Sequence, residues 1–291
     1  MEIIQILAFG ILMGGVYALL SSGVTLIFGV LDVVNVAQGS FLVFSALLTW
    51  QIWDLTGIEP LLLIPVMGAL MAFFGWIIYR GLVKRVVPQG PGMTVLLMFG
   101  VAIAMEGILN IAFGNKFKSV TPPYFTQSLQ IGELVLPYPQ LISGIMAVVV
   151  LVALYFYLKL SWAGRALRAS AQNKDGAALV GISSIKASSL AFAIGAMTAG
   201  VGGVLLIIMY PIYPATQYDW IAKLLGIIVL GGMGSIPGAV IASMILGISE
   251  AFAQAYIPQW SAAIFFGVIL VVLLFRPEGL LGEKTREDVT T

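Results

Sequence analysis

The chain alternates between long apolar runs and short segments that carry its charged residues. A membrane-spanning helix needs roughly 18 to 20 consecutive apolar residues. Windows without any charged residue reach that length at residues 3–31, 33–53, 60–79, 86–105, 134–158, 187–218, 224–249 and 251–275. The pattern therefore predicts at least eight segments that enter a membrane.

These segments are predicted to be helices. They lack the alternation of apolar and polar residues that marks barrel strands, and lipid leaves no backbone group unpaired. The first window has neither a basic region before it nor a small-residue cleavage site, so we expect a retained span and not a signal peptide. The prediction is an all-α polytopic membrane protein with one transmembrane domain over residues 1–291.

Composition narrows the possible functions. Hydrophobic residues make up 60% of the chain and charged residues 9%, against about 25% charged in soluble domains. The mean hydropathy is +1.06. With no cysteine and no histidine, thiol nucleophiles, imidazole bases and the usual zinc sites are excluded. No Gly-x-x-x-x-Gly-Lys-Ser/Thr phosphate loop occurs, so we expect a non-enzymatic chain without a metal or cofactor.

Basic residues between the windows predict the orientation. One cluster holds Arg80, Lys84 and Arg85. The second contains Lys159, Arg165, Arg168, Lys174 and Lys186, opposed by Asp175 alone. By the positive-inside rule both clusters face the cytoplasm. Residues 116–139 and the amino terminus are then expected outside.

The carboxy-terminal half leaves the number of crossings open. If residues 219–256 cross once, the tail with Arg276, Lys284 and Arg286 lies outside; if they cross twice, the tail lies inside. We favour two short crossings that hinge at residues 231–238, and hence about nine crossings within a range of eight to ten.

Thirty-three glycines indicate close helix packing. Examples are Gly10, Gly14, Gly15, Gly195, Ala199, Gly202 and Gly203. Two other stretches interrupt the apolar pattern, at residues 29–40 and 231–238. Paired broken helices in the two halves of a transporter indicate an internal pseudo-repeat and a path near the membrane midplane. The alternative is that both stretches are tight turns at the membrane edge.

Four ionisable residues lie in or beside apolar windows, namely Asp32, Glu106, Lys223 and Glu250. Each costs roughly 2.5 to 3.5 kcal/mol at a membrane centre, so we expect them to face the bundle interior or to pair. Asp32 and Lys223 adjoin the two interruptions and are candidates for an ion pair. Glu106 is either a structural hydrogen-bonding group or part of a pathway, and Glu250 is interpreted as marking a helix end.

Residues 161–186 form a basic, helix-prone segment between two apolar windows. Arg165 and Arg168 lie three residues apart and so share a helical face. Small residues offer a docking surface at Ala166, Leu167, Ala171, Ala177, Ala178 and Leu179. The segment predicts a partner on the cytoplasmic side, and the alternative is a solvated basic loop that only sets the topology.

Six motifs in order resemble a known family. They are residues 15–19 (GVYAL), 23–29 (GVTLIFG), 35–39 (NVAQG), 164–169 (GRALRA) with Gly181 and Ile182, 229–239 (VLGGMGSIPGA) and 276–280 (RPEGL). Together these motifs are similar to the permease subunits of branched-chain amino-acid ABC importers, and to the shorter of the two permeases in such systems. The resemblance covers nearly the whole chain.

The resemblance implies a type II ABC importer permease in the cytoplasmic (inner) membrane of a prokaryote. Beside the lipid bilayer it implies three kinds of partner, which are a second homologous permease, two cytoplasmic ATPases and an extracytoplasmic binding protein, with no nucleic acid. ATP then acts only through the ATPases. Residues 161–186 become the coupling-helix region, with Gly164, Arg165, Arg168, Asp175 and Gly181 expected at the ATPase.

The remaining site residues are assigned to the translocation path. They are Asp32, Asn35, Gln38, Gly39, Gly231, Gly232, Gly234 and Pro237. The family usually has histidine and an acidic residue where this chain has Gln38 and Ser40, so a titratable pair is replaced by neutral groups. The solute therefore stays open between branched-chain amino acids, urea, short amides and other small acids.

Two other functions remain as alternatives. An ion-coupled secondary transporter or channel would use Asp32, Glu106 or Glu250 as a proton or sodium relay. A membrane scaffold would transport nothing.

Overall fold

The computed structural model describes residues 2–132 and 134–282, and helices dominate it. They are α1 Glu2–Leu31, α2 Gln38–Thr56, α3 Leu63–Ile78, α4 Lys84–Val86, α5 Pro91–Phe113, α6 Tyr138–Leu160, α7 Trp162–Gln172, α8 Lys174–Leu179, α9 Ser184–Met209, α10 Gln217–Gly231, α11 Ile236–Tyr256 and α12 Ser261–Phe275. Strands β1 Ser128–Ile131 and β2 Leu134–Pro137 form an antiparallel hairpin. The all-α expectation is confirmed, apart from this small hairpin.

Seven of the described helical segments are long and apolar enough to cross a membrane. They are Ile3–Leu31, Pro60–Gln89, Pro91–Phe113, Tyr138–Leu160, Ser184–Met209, Ile236–Tyr256 and Pro258–Phe275. Helix α2 is long enough but too polar, and α10 has only 15 residues. With these two, nine described helices form the bundle, within the predicted range. The window predicted over residues 187–218 is shorter as a helix because Tyr210, the residue after Met209, precedes Pro211 and leaves the helical conformation.

The bundle has two distinct ends. The amide of Gln5 in α1 donates to the Val135 carbonyl of β2 at 3.1 Å, which defines the hairpin end. The other end of α1 reaches α8, where Lys174 pairs with Asp32 at 2.5 Å, and we call this the basic end.

The carboxy-terminal described residues also lie at the basic end. Leu280 N–H donates to the Leu230 carbonyl at 2.8 Å, beside the turn from α10 to α11. A Cβ added at Gly29 would meet Gly234 of that turn at 3.6 Å. The chain therefore turns back between α10 and α11, as the favoured two-crossing arrangement requires. Lys284 and Arg286, which were used to weigh the tail's orientation, lie outside the described residues.

The two halves repeat one arrangement with opposite directions. Helices α1, α2, α3 and α5 are followed in the second half by α9, α10, α11 and α12. In both halves an irregular stretch separates a long helix from a shorter one, at residues 32–37 and 210–216. Helix α1 packs on α11 and α9 packs on α3, while α1 runs towards the basic end and α9 away from it. This is the predicted pseudo-repeat.

The partner of the first interruption differs from the prediction. Residues 231–238 were expected to match residues 29–40, but the stretch that follows α9 and precedes α10 is residues 210–216. Residues 232–235 instead join α10 to α11, as residues 57–62 join α2 to α3. The cause is that prolines, not glycines, interrupt the helix after Met209, within a window free of charge.

Helix α9 forms the centre of the bundle, with 94% of its span window buried. Its glycines let three other helices approach closely. A Cβ at Gly202 would meet the Leu20 side chain of α1, one at Gly203 would lie 2.4 Å from the Leu42 carbonyl of α2, and one at Gly200 would lie 2.7 Å from the Met67 carbonyl of α3. The predicted small-residue packing is therefore present in α9.

Candidate functional site

A groove between α1, α6 and α11 holds the main cavities. The cavity at the hairpin end has a volume of about 550 Å³, and a smaller part of about 220 Å³ continues towards α10. Both parts share Met13, Tyr210, Glu250 and Gln254 as lining residues. A second cavity of about 560 Å³ lies at the basic end of the same three helices, and α7 contributes to its wall.

Close helix contacts separate the two cavities. Between them a Cβ at Gly247 of α11 would lie 2.6 Å from the Gly10 carbonyl and 2.6 Å from the Gly14 nitrogen of α1. On the other side of α1, a Cβ at Gly144 of α6 would lie 2.6 Å from Leu12. The hydroxyls of Ser21 and Ser243 are 3.2 Å apart. These contacts form what we call the seam, which is too tight for a solute to pass.

An ion pair lies in the wall of the hairpin-end cavity. Lys223 Nζ of α10 is 2.7 Å from Glu250 Oε1 of α11, and the side chains are 21% and 9% exposed. The Tyr17 hydroxyl of α1 donates to Glu250 Oε2 at 2.5 Å, and the Gln254 amide donates to Glu250 Oε1 at 3.2 Å. Three helices thus meet at one carboxylate.

This pairing corrects two predictions. Lys223 pairs with Glu250 and not with Asp32, because α10 begins beside the middle of α1 and ends at the basic end. Glu250 lies within α11, six residues before Tyr256 ends the helix, and does not mark a helix end. Its place was missed because the predicted windows end at every charged residue, whereas α11 continues through Glu250 to Tyr256.

Asp32 lies at the basic end. It adopts a left-handed conformation with φ 57° directly after α1, and its carboxylate pairs with Lys174 at 2.5 Å. The two side chains are 67% and 43% exposed, respectively. An exposed pair of this kind contributes little to stability. Asp32 was assigned to the path, yet the structure brings it to the predicted coupling region.

Asn35, Gln38 and Gly39 lie packed in the interior, where α2 begins. The Gln38 amide donates to the Gly195 carbonyl at 2.7 Å, and Asn35 donates to Gln38 Oε1 at 3.0 Å. A Cβ at Gly39 would lie 2.6 Å from the Gln217 carbonyl, so the starts of α2 and α10 touch. None of the three lines the cavities described above.

The other predicted path residues lie in and around the turn between α10 and α11. Gly234 and Pro237 line the basic-end cavity. Gly231 and Gly232 pack against neighbouring backbone, and a Cβ at Gly232 would lie 2.3 Å from Gly282 N. Gly232 and Gly234 have φ angles of 95° and 87°, a region that favours glycine. The structure therefore puts half of this motif at a cavity and half in packing.

Glu106 of α5 takes part in a hydrogen-bond network away from both cavities. Its Oε2 accepts from the Gln217 amide at 3.0 Å and from the Tyr218 hydroxyl at 2.5 Å. Gln217 Oε1 in turn accepts from the Ser40 hydroxyl at 2.5 Å. Of the two roles considered for Glu106, this geometry favours the structural one.

Helices α7 and α8 form a separate polar segment at the basic end. Ser161 caps α7 by accepting from Gly164 N at 2.9 Å, and Asn173 caps α8 by accepting from Gly176 N at 2.9 Å. Arg168 donates to the Leu158 carbonyl at the end of α6. The two caps stabilise the starts of α7 and α8, and the Arg168 contact attaches α7 to the end of α6.

The predicted coupling residues divide into attached and exposed groups. Gly164 is buried, and a Cβ there would meet the Leu158 carbonyl, so it permits the contact of α7 with α6. Gly181 lies two residues after the end of α8 and has a φ angle of 83°. Arg165 and Asp175 are exposed, whereas the guanidinium of Arg168 faces the backbone of α6.

The surface expected to dock a partner also changes. Ala166, Leu167 and Ala177 are buried against the protein itself and are not accessible. At the tip of α8, however, Leu179 is 89% exposed and its neighbour Val180 is 76% exposed. We call these two residues the α8 tip. Ala171, Ala178 and Leu179 were among the predicted docking residues and are exposed, whereas Val180 was not identified from the sequence.

Comparison with known proteins identifies the family. The family described as branched-chain amino acid transport system / permease component matches residues 6–274. The chain belongs to this family. No solved structure matches it.

Two named permeases are similar over nearly their full length, and a third over a part of its length. The chain is 30% identical to the high-affinity branched-chain amino acid transport system permease protein BraD of Pseudomonas aeruginosa, covering 98% of each chain. It is 30% identical to LivH of Escherichia coli (strain K12), covering 96% of each. The permease protein LivM of Salmonella typhimurium is 28% identical over 40% of this chain and 28% of LivM.

Proposed function

We propose that this protein is the permease subunit of an ABC importer that carries small amino acids, with branched-chain amino acids as the main class. The observation that supports this most strongly is the family match over residues 6–274, joined to a groove with one cavity at each end. The similar proteins BraD and LivH are named as permeases for branched-chain amino acids. The membrane is the cytoplasmic (inner) membrane, with the basic end inside.

Energy comes from two separate ATPases that bind at the basic end. The α8 tip supplies an apolar contact, and Arg165 and Asp175 supply charges beside it. A force applied to α7 and α8 reaches α6 through Arg168 and the end of α1 through the pair of Lys174 with Asp32. These two connections lead to two of the three helices of the groove.

Transport follows alternating access along the groove. In the described conformation the seam separates the two cavities. Movement of α1 against α11 opens the seam on one side, so that solute from the hairpin-end cavity reaches the basic-end cavity. The seam consists largely of glycine backbone contacts, which allow α1 and α11 to slide with little side-chain rearrangement.

The remaining partners are a second permease and an extracytoplasmic binding protein. A homologous pair of permeases agrees with the partial match to LivM, a match that covers 40% of this chain. The binding protein delivers solute to the hairpin end and provides most of the selectivity.

An ion-coupled transporter is the second candidate, and one observation favours it. Glu250 is a largely buried carboxylate at a cavity, as a proton relay would require. Asp32 and Glu106 do not extend such a relay, since one is exposed at the basic end and the other lies away from the groove.

Copurification from the native membrane tests the proposed function. Extraction in a mild detergent through a tag on this chain is expected to recover a second permease and two phosphate-loop ATPases, and the complex should hydrolyse ATP faster when solute-loaded binding protein is added. Recovery of the chain without any ATPase, combined with ion-gradient-driven uptake into vesicles lacking ATP, would replace this proposal with the second candidate.

A further inference from the structure

One lysine, Lys223, and two carboxylates, Glu250 and Asp219, line the hairpin-end cavity, and Lys223 pairs with Glu250. Lys223 and Glu250 both line its smaller part, 2.7 Å apart. They are largely shielded from solvent, so removal of either partner leaves a buried charge without compensation. A ligand that separates this pair must therefore bring an opposite charge for each partner.

We propose that this pair is a binding site for a zwitterionic solute, with Lys223 receiving the carboxylate and Glu250 the ammonium group. The site rests on the proposed function and adds to it the contact point and the charge class of the solute. A zwitterion replaces the one internal pair with two pairs to the ligand, so that no charge stays unpaired. Urea and neutral amides bring no such charges, and a simple carboxylate compensates Lys223 only.

The ammonium half of the site has a second acceptor. Gln140 Oε1 of α6 is buried and has no hydrogen-bond partner among the described residues, and Gln140 lines the larger part of the cavity together with Glu250. Buried acceptors without a partner are uncommon. An ammonium group has three donors, which Glu250 and Gln140 can share.

Three aromatic rings lie near Lys223 Nζ and stabilise its charge when Glu250 no longer pairs with it. The centroids of Tyr17, Trp220 and Phe265 each lie 5.5 Å from Lys223 Nζ. A cation at this distance from an aromatic face is attracted by the ring. Lys223 therefore keeps a favourable environment when Glu250 turns to the ligand.

The shape of the cavity gives the solute an orientation. The larger part is lined by Glu250 but not by Lys223, and its apolar wall includes Ile6, Phe9 and Ala251. Its volume of about 550 Å³ is within the range of roughly 300 to 1,000 Å³ that is usual for small-molecule sites. The ammonium group and an aliphatic side chain fit this part, and the carboxylate points to the smaller part at Lys223.

Equilibrium binding to the purified complex, without binding protein, tests the site. The probe is tritiated leucine, and the competitors are 4-methylpentanoate, which lacks the amine, leucinamide, which lacks the carboxylate, and urea. We expect saturable leucine binding to the wild-type complex and weak or absent competition by the other three. ATP hydrolysis is measured on the same preparation.

Single substitutions should change the charge preference of the site. Glu250→Gln and Lys223→Met are each expected to weaken leucine binding about tenfold or more. Glu250→Gln should shift the preference towards 4-methylpentanoate, and Lys223→Met towards leucinamide. The matched control is Glu106→Gln, a carboxylate-to-amide change outside both cavities, which should keep the wild-type affinity and preference.

A charge exchange separates binding from folding. Lys223→Glu combined with Glu250→Lys rebuilds an internal pair, so the protein should fold, but it moves the ammonium acceptor away from Gln140 and should still weaken leucine binding.

The proposal is overturned if the wild type shows no saturable binding, if the exchanged variant binds leucine as the wild type does, or if single variants lose all ligands equally. ATPases that copurify and hydrolyse ATP without solute binding would refute the site alone, whereas solute binding without ATPases would refute the proposed function alone.

Discussion

At the scale of single residues, several buried polar side chains pair with other groups of the chain. Gln38 shows this, since its amide donates to the Gly195 carbonyl and its oxygen accepts from Asn35. A glutamine makes both bonds without titrating, whereas the histidine expected there from the family would change its charge near neutral pH. The position therefore fixes α2 on α9, and it gives no indication of the solute.

Gly247→Ala is expected to destabilise the protein. The added Cβ would lie 2.6 Å from backbone atoms of both Gly10 and Gly14, and backbone cannot move aside as a side chain can. Forcing extra volume into a packed contact costs about 1 to 3 kcal/mol. The measurement is the thermal unfolding midpoint in detergent, where the variant should melt lower than the wild type.

Gly107→Ala serves as the control for this change. Gly107 also lies within a helix, α5, but a Cβ there meets nothing within 4 Å. Its unfolding midpoint should equal or exceed that of the wild type, because alanine has the higher helix propensity. Equal midpoints for Gly247→Ala and Gly107→Ala would show that the seam is not tightly packed.

At the scale of elements, two short helices begin inside the bundle. Helices α2 and α10 start beside each other, where Ser40 donates to Gln217 and Gly39 packs on the Gln217 backbone. From there they run towards opposite ends. Helices α7 and α8 are the other distinctive element, since Arg168 attaches α7 to the end of α6 while the α8 tip stays exposed.

Aspartate at the α8 tip is expected to prevent ATPase binding. In Leu179→Asp with Val180→Asp, two carboxylates replace side chains that are 89% and 76% exposed, so folding should be unaffected while an apolar contact is lost. The expected result is an unchanged unfolding midpoint and at least a tenfold lower yield of copurified ATPase, as loss of about 1.4 kcal/mol or more would give. The measurement is quantitative pull-down from mild detergent.

The control adds a carboxylate elsewhere at the same end. Gln89 is exposed in the connection between α4 and α5, away from α8. Gln89→Asp should retain the wild-type yield of ATPase. If the two α8-tip substitutions also retain it, the ATPases bind elsewhere.

At the scale of the whole molecule, the two halves are inverted relative to each other, and the polar segments lie at the two ends of the bundle. The hairpin and the start of α1 lie at one end, and α8, the end of α1 and the turn from α10 to α11 lie at the other. Near the hairpin, the Tyr124 hydroxyl donates to Glu59 at 2.6 Å and so joins two connections. Burial and the neighbouring carboxylate raise the pKa of Tyr124, so it stays protonated as a donor.

Cysteine labelling in whole cells tests this orientation. The chain has no cysteine, so single variants carry one label each. Gln130→Cys lies in β1 of the hairpin, and Ala178→Cys lies in α8, and both residues are exposed. A membrane-impermeant maleimide should label Gln130→Cys in intact cells and Ala178→Cys only after permeabilisation. The reverse pattern would place the coupling region outside and contradict the proposed function.

Much of the element pattern was predictable because it is local. The interruption after α1, the turn at Gly232 and Gly234, and the capped segment after Ser161 each follow from residue types that end or begin helices. The candidate site was less predictable, since its contacts join residues far apart in the chain. Tyr17 and Glu250 are 233 positions apart, and nothing in either segment indicates the other.

The sequence by itself determined that the chain lies in lipid, that it is helical, that one end is basic and which family it resembles. Hydrophobicity, charge distribution and short motifs suffice for this because they are properties of neighbouring residues. Only the tertiary structure decided that Lys223 pairs with Glu250, that residues 210–216 match residues 32–37, and which docking residues are exposed. The physical reason is that glycine contacts between α1, α9 and α11 set which helix faces meet, and pairing and exposure follow from those faces.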